Sequence, residues 1–233
     1  LPRHDALPIY QHIDSPGIIP FDAVPPNGAR TDFTRADIKW INTLGDKQGT
    51  WANIGFEGRH ETGESRGYLV YGERMPTDFR LNRATRSAFL NLNSYLTEQL
   101  FVGASLRSDS NAHFGTRQSV QGGFRYQLSD NLSWFANAGT GYKLPSFFAL
   151  GHPLTGNKEL KPERSTTRDT GIEWTANNTV LNLSYFVNDY KDLIDFDSEL
   201  FRNVNRAHTR MKGVDIDARW HSNDQKWTLG AHG

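Results

Sequence analysis

The sequence predicts an all-β chain, an antiparallel up-and-down transmembrane β-barrel, and three observations carry that reading. Long segments alternate apolar and polar residues with period 2, the connections between them alternate short and long, and tryptophans gather beside the short ones. The clearest segments are TRQSVQGGFRYQL and LSWFANAGTGYK, joined at residues 129–131. In the first, Val120, Gly122, Phe124, Tyr126 and Leu128 share one face, and Gln121, Gly123, Arg125 and Gln127 share the other. In the second, Leu132, Trp134, Ala136, Ala138, Thr140 and Tyr142 oppose Ser133, Phe135, Asn137, Gly139, Gly141 and Lys143, with Phe135 an apolar exception on the polar side. A period held for about ten residues suits a strand that crosses a bilayer. Strands of soluble sandwiches usually end after about 5–6.

Taken in order, the chain opens on residues 1–30, rich in Pro and Gly (SPGIIP, VPPNG), which read as a loop. Residues 1–9 follow no strand pattern and resemble translated sequencing-adapter DNA, so this start is read as partly non-native. Residues 31–233 then supply about ten strands, near 31–44, 50–62, 84–96, 100–108, 116–128, 132–143, 165–176, 179–190, 205–221 and 226–233. Short connections fall at 45–49, 97–99, 129–131, 177–178 and 223–225, and long ones at 63–83, 109–115, 144–164 and 191–204. That alternation is what tight turns at one rim of a barrel and long loops at the other produce. Trp134, Trp174, Trp220 and Trp227, with Trp40, lie near short turns in phase with the apolar face, as an interfacial belt requires. Trp51 is out of phase.

The composition fits this reading. Lys plus Arg (26) equals Asp plus Glu (26), which gives no footprint for nucleic acid, and the mean hydropathy of -0.63 suits strands of which only alternate residues meet lipid. No run of about 18 apolar residues forms a spanning helix. The chain has no Cys, so disulfide scaffolds, thiolate metal sites and Cys nucleophiles are excluded. The eight His are scattered without HExxH or ligand spacing, no GxSxG occurs, and no acid is placed to orient His113 toward Ser119. No catalytic residue, metal site or cofactor is predicted, and the chain is read as no enzyme. The acids of DLIDFD, Asp192, Asp195 and Asp197, read as a solvated loop rim.

Two sets of residues are candidates for function. Phe147, Phe148 and His152 in the 144–164 loop, with Phe79 and Arg80 near the end of the 63–83 loop, are ligand-contact candidates, because no strand pattern requires their burial. The same groups would serve equally to pack the loop inward. Gln121, Arg125, Asn137 and Lys143, on the polar face, are predicted to line the lumen. The lumen rows are read as mixing Gly, Ser and Asn without a ladder of opposed charges, which argues against a passive porin.

Several segments resemble the TonB-dependent outer-membrane receptors. GTGYKLPSFFAL (139–150) with GNKELKPERS (156–165) is similar to the family's Y-K-A-P…L…G-N-P-x-L-K-P-E segment. NDYKDLIDFD (188–197) and NVNRAHTRMKGVDIDARW (203–220) resemble the strand pair that follows it, and GASLRSDSNAHFG (103–115) resembles a strand and loop of the vitamin B12 (cobalamin) receptor branch. Leu144 and Lys158 depart from the family's Ala and Pro. The resemblance implies that 31–233 is the middle section of a barrel of about 22 strands, with plug domain, TonB box and C-terminal strands lying outside this sequence. It implies energy-coupled uptake of a scarce small molecule, a corrinoid or an iron chelate such as a ferric siderophore or haem. The implied partners are outer-membrane lipid and, through the plug, the TonB–ExbB–ExbD complex, and the implied location is the outer membrane of a Gram-negative bacterium. A passive porin or structural barrel is the alternative, and an outer-membrane hydrolase a weaker one.

Overall fold

The computed structural model of the chain describes residues 5–16, 30–71, 73–224 and 226–233. Its strands are β1 (Asp5–Pro16), β2 (Arg30–Gly45), β3 (Thr50–Arg66), β4 (Tyr68–Tyr71), β5 (Glu73–Pro76), β6 (Phe79–Tyr95), β7 (Leu100–Asn111), β8 (Gly115–Ser129) and β9 (Leu132–Lys143). One short helix follows, α1 (Phe147–Gly151), and then β10 (Glu163–Ala176), β11 (Thr179–Asp197), β12 (Arg202–His221) and β13 (Thr228–His232). Eleven of the strands form a single sheet in chain order, each paired antiparallel with the next, while β4 and β5 make a separate hairpin. This is the up-and-down meander of a barrel wall, and the ten strands expected from the sequence are all in it.

Burial is distributed inside out. The large apolar side chains of the strands are exposed, among them Leu90, Leu106, Val120, Trp134, Ile172, Leu183, Val214 and Ile216. The buried strand residues are polar or charged: Glu57, Glu61, Thr85, Ser87, Asp109, Asn111 and Ser133. Water on both faces would make such a sheet unstable, since apolar area left in water forfeits about 25 cal/mol per Å². Lipid on the outer face and a polar interior on the other resolve it. No helix among the described residues is long and apolar enough to cross a membrane.

The structure departs from the sequence expectations in five segments. The loop expected over 1–30 is a strand over Asp5–Pro16, paired residue for residue with β2 (Leu7↔Lys39, Ile13↔Phe33); residues 1–4 and 17–29 lie outside the described residues. Pro8 and Pro16 sit in this strand because it is the edge of the described sheet, where a missing N–H costs no second ladder. The long connections expected at 109–115 and 191–204 shrink to residues 112–114 and 198–201, since β7, β11 and β12 run on through them. The reason is physical: beyond the lipid both faces meet water, so apolar alternation ceases while backbone pairing continues. For the same reason the 63–83 loop is mostly strand, with β3 reaching Arg66, the β4–β5 hairpin above it, and β6 starting at Phe79. Within the 144–164 loop a single helical turn forms, capped by the Ser146 hydroxyl accepting from Ala149 N–H at 3.0 Å.

Two sequence anomalies gain an explanation. Phe135 lies across from Gly171, and its ring occupies the space a Cβ there would need. Phe89 opposite Gly55 and Phe186 opposite Gly213 repeat the device. Trp51 belongs to the inner face, where its ring stands 5.9 Å from Phe101 and 6.2 Å from Tyr95 at the short-turn rim.

Candidate functional site

The inner wall of β2, β3, β6 and β7 carries a continuous ion-pair network. Asp37 accepts from Arg35 Nε at 2.7 Å and Arg59 Nε at 2.6 Å. Arg59 reaches on to Glu57 at 2.6 Å, Glu57 to Arg107 at 3.1 Å, and Arg107 to Asp109 at 2.9 Å. Ser87 closes the end, accepting from Arg107 at 2.7 Å and donating to Asp109. These residues recur at every second position on adjacent strands, so their registers stack into one polar ladder. The expectation of lumen rows without opposed charges is therefore wrong for this half of the wall. Isolated pairs such as Arg35–Asp37 read as surface decoration in one dimension, and only the strand registers join them.

Above the network a second pair, Glu61 with Arg83 at 2.7 Å, holds the 144–151 segment. Arg83 donates to the carbonyl of Pro145 at 3.0 Å and lies 4.7 Å over the ring of Phe147, a cation–π contact. Phe147 is 7% exposed and fills the space beside Gly63, with Phe33 6.1 Å away. Ala149, Leu150 and Leu160 form a small apolar cluster with Leu81, Phe114 and Ile194. The loop therefore folds onto the inner face. Gly63→Leu is expected to eject Phe147 at a cost of about 1–3 kcal/mol, seen as faster amide exchange over residues 146–152.

Between this loop and the ladder lies a hollow of about 760 Å³, bordered by Arg59, Arg107, Asp109, Lys143, Phe79 and Phe148. Tyr142 borders it as well, on the same side as Asp109. Strict alternation puts Tyr142 on the apolar face; it turns inward because the pairing of β9 with β8 ends at Gly139, freeing the strand end.

The ligand-contact candidates separate. Phe148 is 51% exposed at the rim of the hollow, edge-on to Phe79 at 6.5 Å and 4.6 Å from the ring of His152. Phe147 borders the hollow as well, but is buried against Gly63. Arg80 points away from Phe79, as neighbours on a strand must, and sits 3.7 Å from Glu64 on the opposite face. Gln121, Arg125 and Asn137 border a second inner hollow of about 360 Å³. There Arg125 pairs with Glu173, and Asn137 donates to Asp169 at 2.7 Å. Lys143 stands 3.3 Å from Glu163. Asp195 and Asp197 clamp Arg206 at 3.0 and 3.1 Å, and Asp192 holds Arg164 at 2.7 Å. Among the described residues no group of three or more His, Asp or Glu is arranged for a metal ion.

His152 locks the far end of the loop. Its Nδ1 faces the N–H groups of Leu154 and Thr155 at 3.3 and 3.2 Å and the Thr155 hydroxyl at 3.1 Å, so it accepts and the ring is neutral. Burial lowers its pKa from the ordinary 6.5. The unfolded loop then takes up a proton that the folded loop refuses, so stability is full above pH 6.5 and declines as pH falls from there toward the lowered value. Amide protection over residues 152–157, measured relative to the intrinsic exchange rate at each pH, is expected to fall as pH drops below 6.5, and His152→Gln to remove that loss of protection.

The description "TonB dependent receptor-like, beta-barrel" matches residues 9–233. The chain belongs to this family of TonB-dependent receptors. Over 119 residues the chain is 31% identical to the vitamin B12 transporter BtuB of Vibrio vulnificus (strain YJ016), a stretch covering 49% of the chain and 19% of that relative. Its fold resembles the siderophore receptor PirA of Pseudomonas aeruginosa (TM-score 0.66, 17% identity, 88% of this chain and 42% of that one). It resembles the copper transporter OprC similarly (TM-score 0.68, 17% identity, 88% and 36%). The siderophore receptor PirA of Acinetobacter baumannii gives a TM-score of 0.65 at 16% identity, over 84% of this chain and 35% of that one. The chain thus spans under half the length of each of these proteins.

Proposed function

We propose that this chain is a middle section of an outer-membrane receptor that binds a scarce small molecule outside a Gram-negative cell and imports it with energy delivered through TonB. The observation that carries the reading is the inward-folded 144–151 segment, which sets exposed Phe148 and half-buried Phe79 beside a charged hollow on the inner face. An aromatic pair above paired charges offers both an apolar platform and directional polar groups, the mixture that ligand sites use. Capture by the external segments precedes movement into the polar lumen beside Gln121, Arg125, Asn137 and Lys143. A plug domain and the TonB–ExbB–ExbD complex act from outside this sequence.

A corrinoid is the cargo we favour, because the 31% identity over 119 residues is to a protein named as a vitamin B12 transporter. An iron chelate is the second reading, supported by fold neighbours named as siderophore receptors; likeness at that identity speaks to fold, so it weighs less. Deleting the whole gene and supplying cobalamin, haem or single siderophores as the limiting nutrient tests both. Loss of growth on cobalamin alone is expected, and unimpaired growth on cobalamin with loss on one iron source would reverse the order. In the intact receptor, Phe148→Ala is expected to weaken cargo binding about tenfold, equal to about 1.4 kcal/mol, with barrel stability unchanged.

A further inference from the structure

The barrel wall is split between β8 and β9. Their ladder runs from Gln121↔Gly139 toward the 129–131 turn, whereas β8 extends to Gly115 against β7, and β9 extends to Lys143 against β10. Just above the last rung, Val120 N–H donates to the Thr140 hydroxyl at 3.2 Å in place of a backbone bond. A hollow of about 630 Å³ occupies the split, with Arg117, Arg164 and Lys191 at its edge. Its lining combines inner-register Arg117 and Ser165 with outer-register Gln118, Thr166 and Asp189, so it straddles the wall. Arg117 Nε is buried there and has no hydrogen-bond partner among the described residues.

Beside the split, Arg168, Arg210 and Lys212 continue the outward register of Ile172, Val214 and Ile216. Asp189 accepts from Arg210 at 2.6 Å and lies 4.0 Å from Arg168 and 3.8 Å from His208. Six Arg and Lys side chains therefore face two carboxylates, Asp189 and Asp192, in a chain whose charges balance overall. Their height is fixed by the belt. Arg164 stands ten residues from Trp174 and Arg210 ten from Trp220. Ten residues rise about 33 Å along a strand, or about 25 Å along the membrane normal at barrel tilt, the height of the apolar band. Arg164 and Arg210 thus stand where the lipid-facing apolar rows stop, while Lys212 and Arg168, about 5 and 10 Å lower on the rung of Val187, lie inside the band and must extend upward along the wall to reach that level.

We propose that the split and its surrounding cations bind the phosphate groups of a phosphorylated glycolipid in the outer leaflet, whose acyl chains lie along Val187, Val214, Tyr185 and Ile216. Arginine pairs with phosphate through parallel N–H bonds, and Asp189 pre-positions Arg168 and Arg210 to do so. A free anion would use the cations alone. An amphiphile uses both the cations and the exposed apolar rows below them, which is why we assign the site to a lipid. The inference rests on the outer-membrane orientation proposed above.

The test uses the full-length receptor in detergent, with binding of diphosphorylated lipid A in mixed micelles compared with its dephosphorylated form. At least tenfold preference for the phosphorylated lipid is expected, reduced to about equal binding in Arg117→Gln/Arg210→Gln. Arg164→Gln/Arg168→Gln supplies a second variant if the first does not fold, with heat-modifiable gel migration reporting folding. Equal binding of the two lipids by the folded parent would overturn the site and leave the barrel standing. Displacement of lipid A by an equal concentration of inorganic phosphate would overturn its assignment to a lipid. Failure of the full-length parent to insert into lipid vesicles would instead overturn the orientation on which the site depends.

Discussion

Replacing Leu183 by arginine is expected to destabilise the full barrel by about 2–4 kcal/mol, whereas Gln121→Arg should be close to neutral. Leu183 is exposed on the apolar face, opposite Ile172 and Ile216 and four residues above the Thr179–Trp220 rung of the belt, which puts it near mid-bilayer. A charge there has neither water nor a counter-ion. Gln121 faces Ser105 and Gly139 on the polar side, where a guanidinium keeps its water. Urea titration of the barrel refolded in lipid vesicles reads both values. Equal tolerance of the two substitutions would reverse the assignment of inside and outside, and with it every functional statement made about the hollow.

The second large effect concerns Arg83. Arg83→Met is expected to cost about 3–5 kcal/mol, the range for leaving one member of a buried ion pair without its partner. Glu61 and Arg83 have side-chain exposures of 9% and 13%, so little solvent screens the loss. The Pro145 carbonyl loses its donor and Phe147 its cation in the same step. Glu61→Gln/Arg83→Met should recover part of the stability because no bare carboxylate remains, but the 144–151 segment stays loose in both variants. Amide exchange over residues 146–152 separates the two effects. Exchange unchanged in Arg83→Met would show that Phe147 and the Ala149–Leu150–Leu160 cluster hold the segment without the ion pair.

The recurrence of ring-over-glycine contacts on the inner face bears on how this wall tolerates bulk. Phe89, Phe135 and Phe186 each place the outer end of the ring over a glycine on the neighbouring strand, where a Cβ would collide with it. This explains why an apolar residue such as Phe135 can occupy a polar row without contradicting its phase.

Period-2 alternation, the tight turns and the tryptophans near them were enough to determine, from the sequence alone, ten of the eleven strands of the main sheet, their order and which face is apolar. Each is a local signal: a side chain's face follows from its parity along the strand, and lipid imposes apolarity on one parity only. Where the strands leave the lipid that constraint lapses. The true lengths of β7, β11 and β12, the strand over Asp5–Pro16 and the entry of Phe79 and Arg80 into β6 were therefore invisible until the backbone pairing was seen. The charge ladder from Arg35 to Asp109, the inward turn of Tyr142, the separation of Arg80 from Phe79 and the split beside Arg117 belong to the tertiary structure alone. They depend on register between strands distant in sequence, and no property of a single strand records which residue its neighbour places opposite.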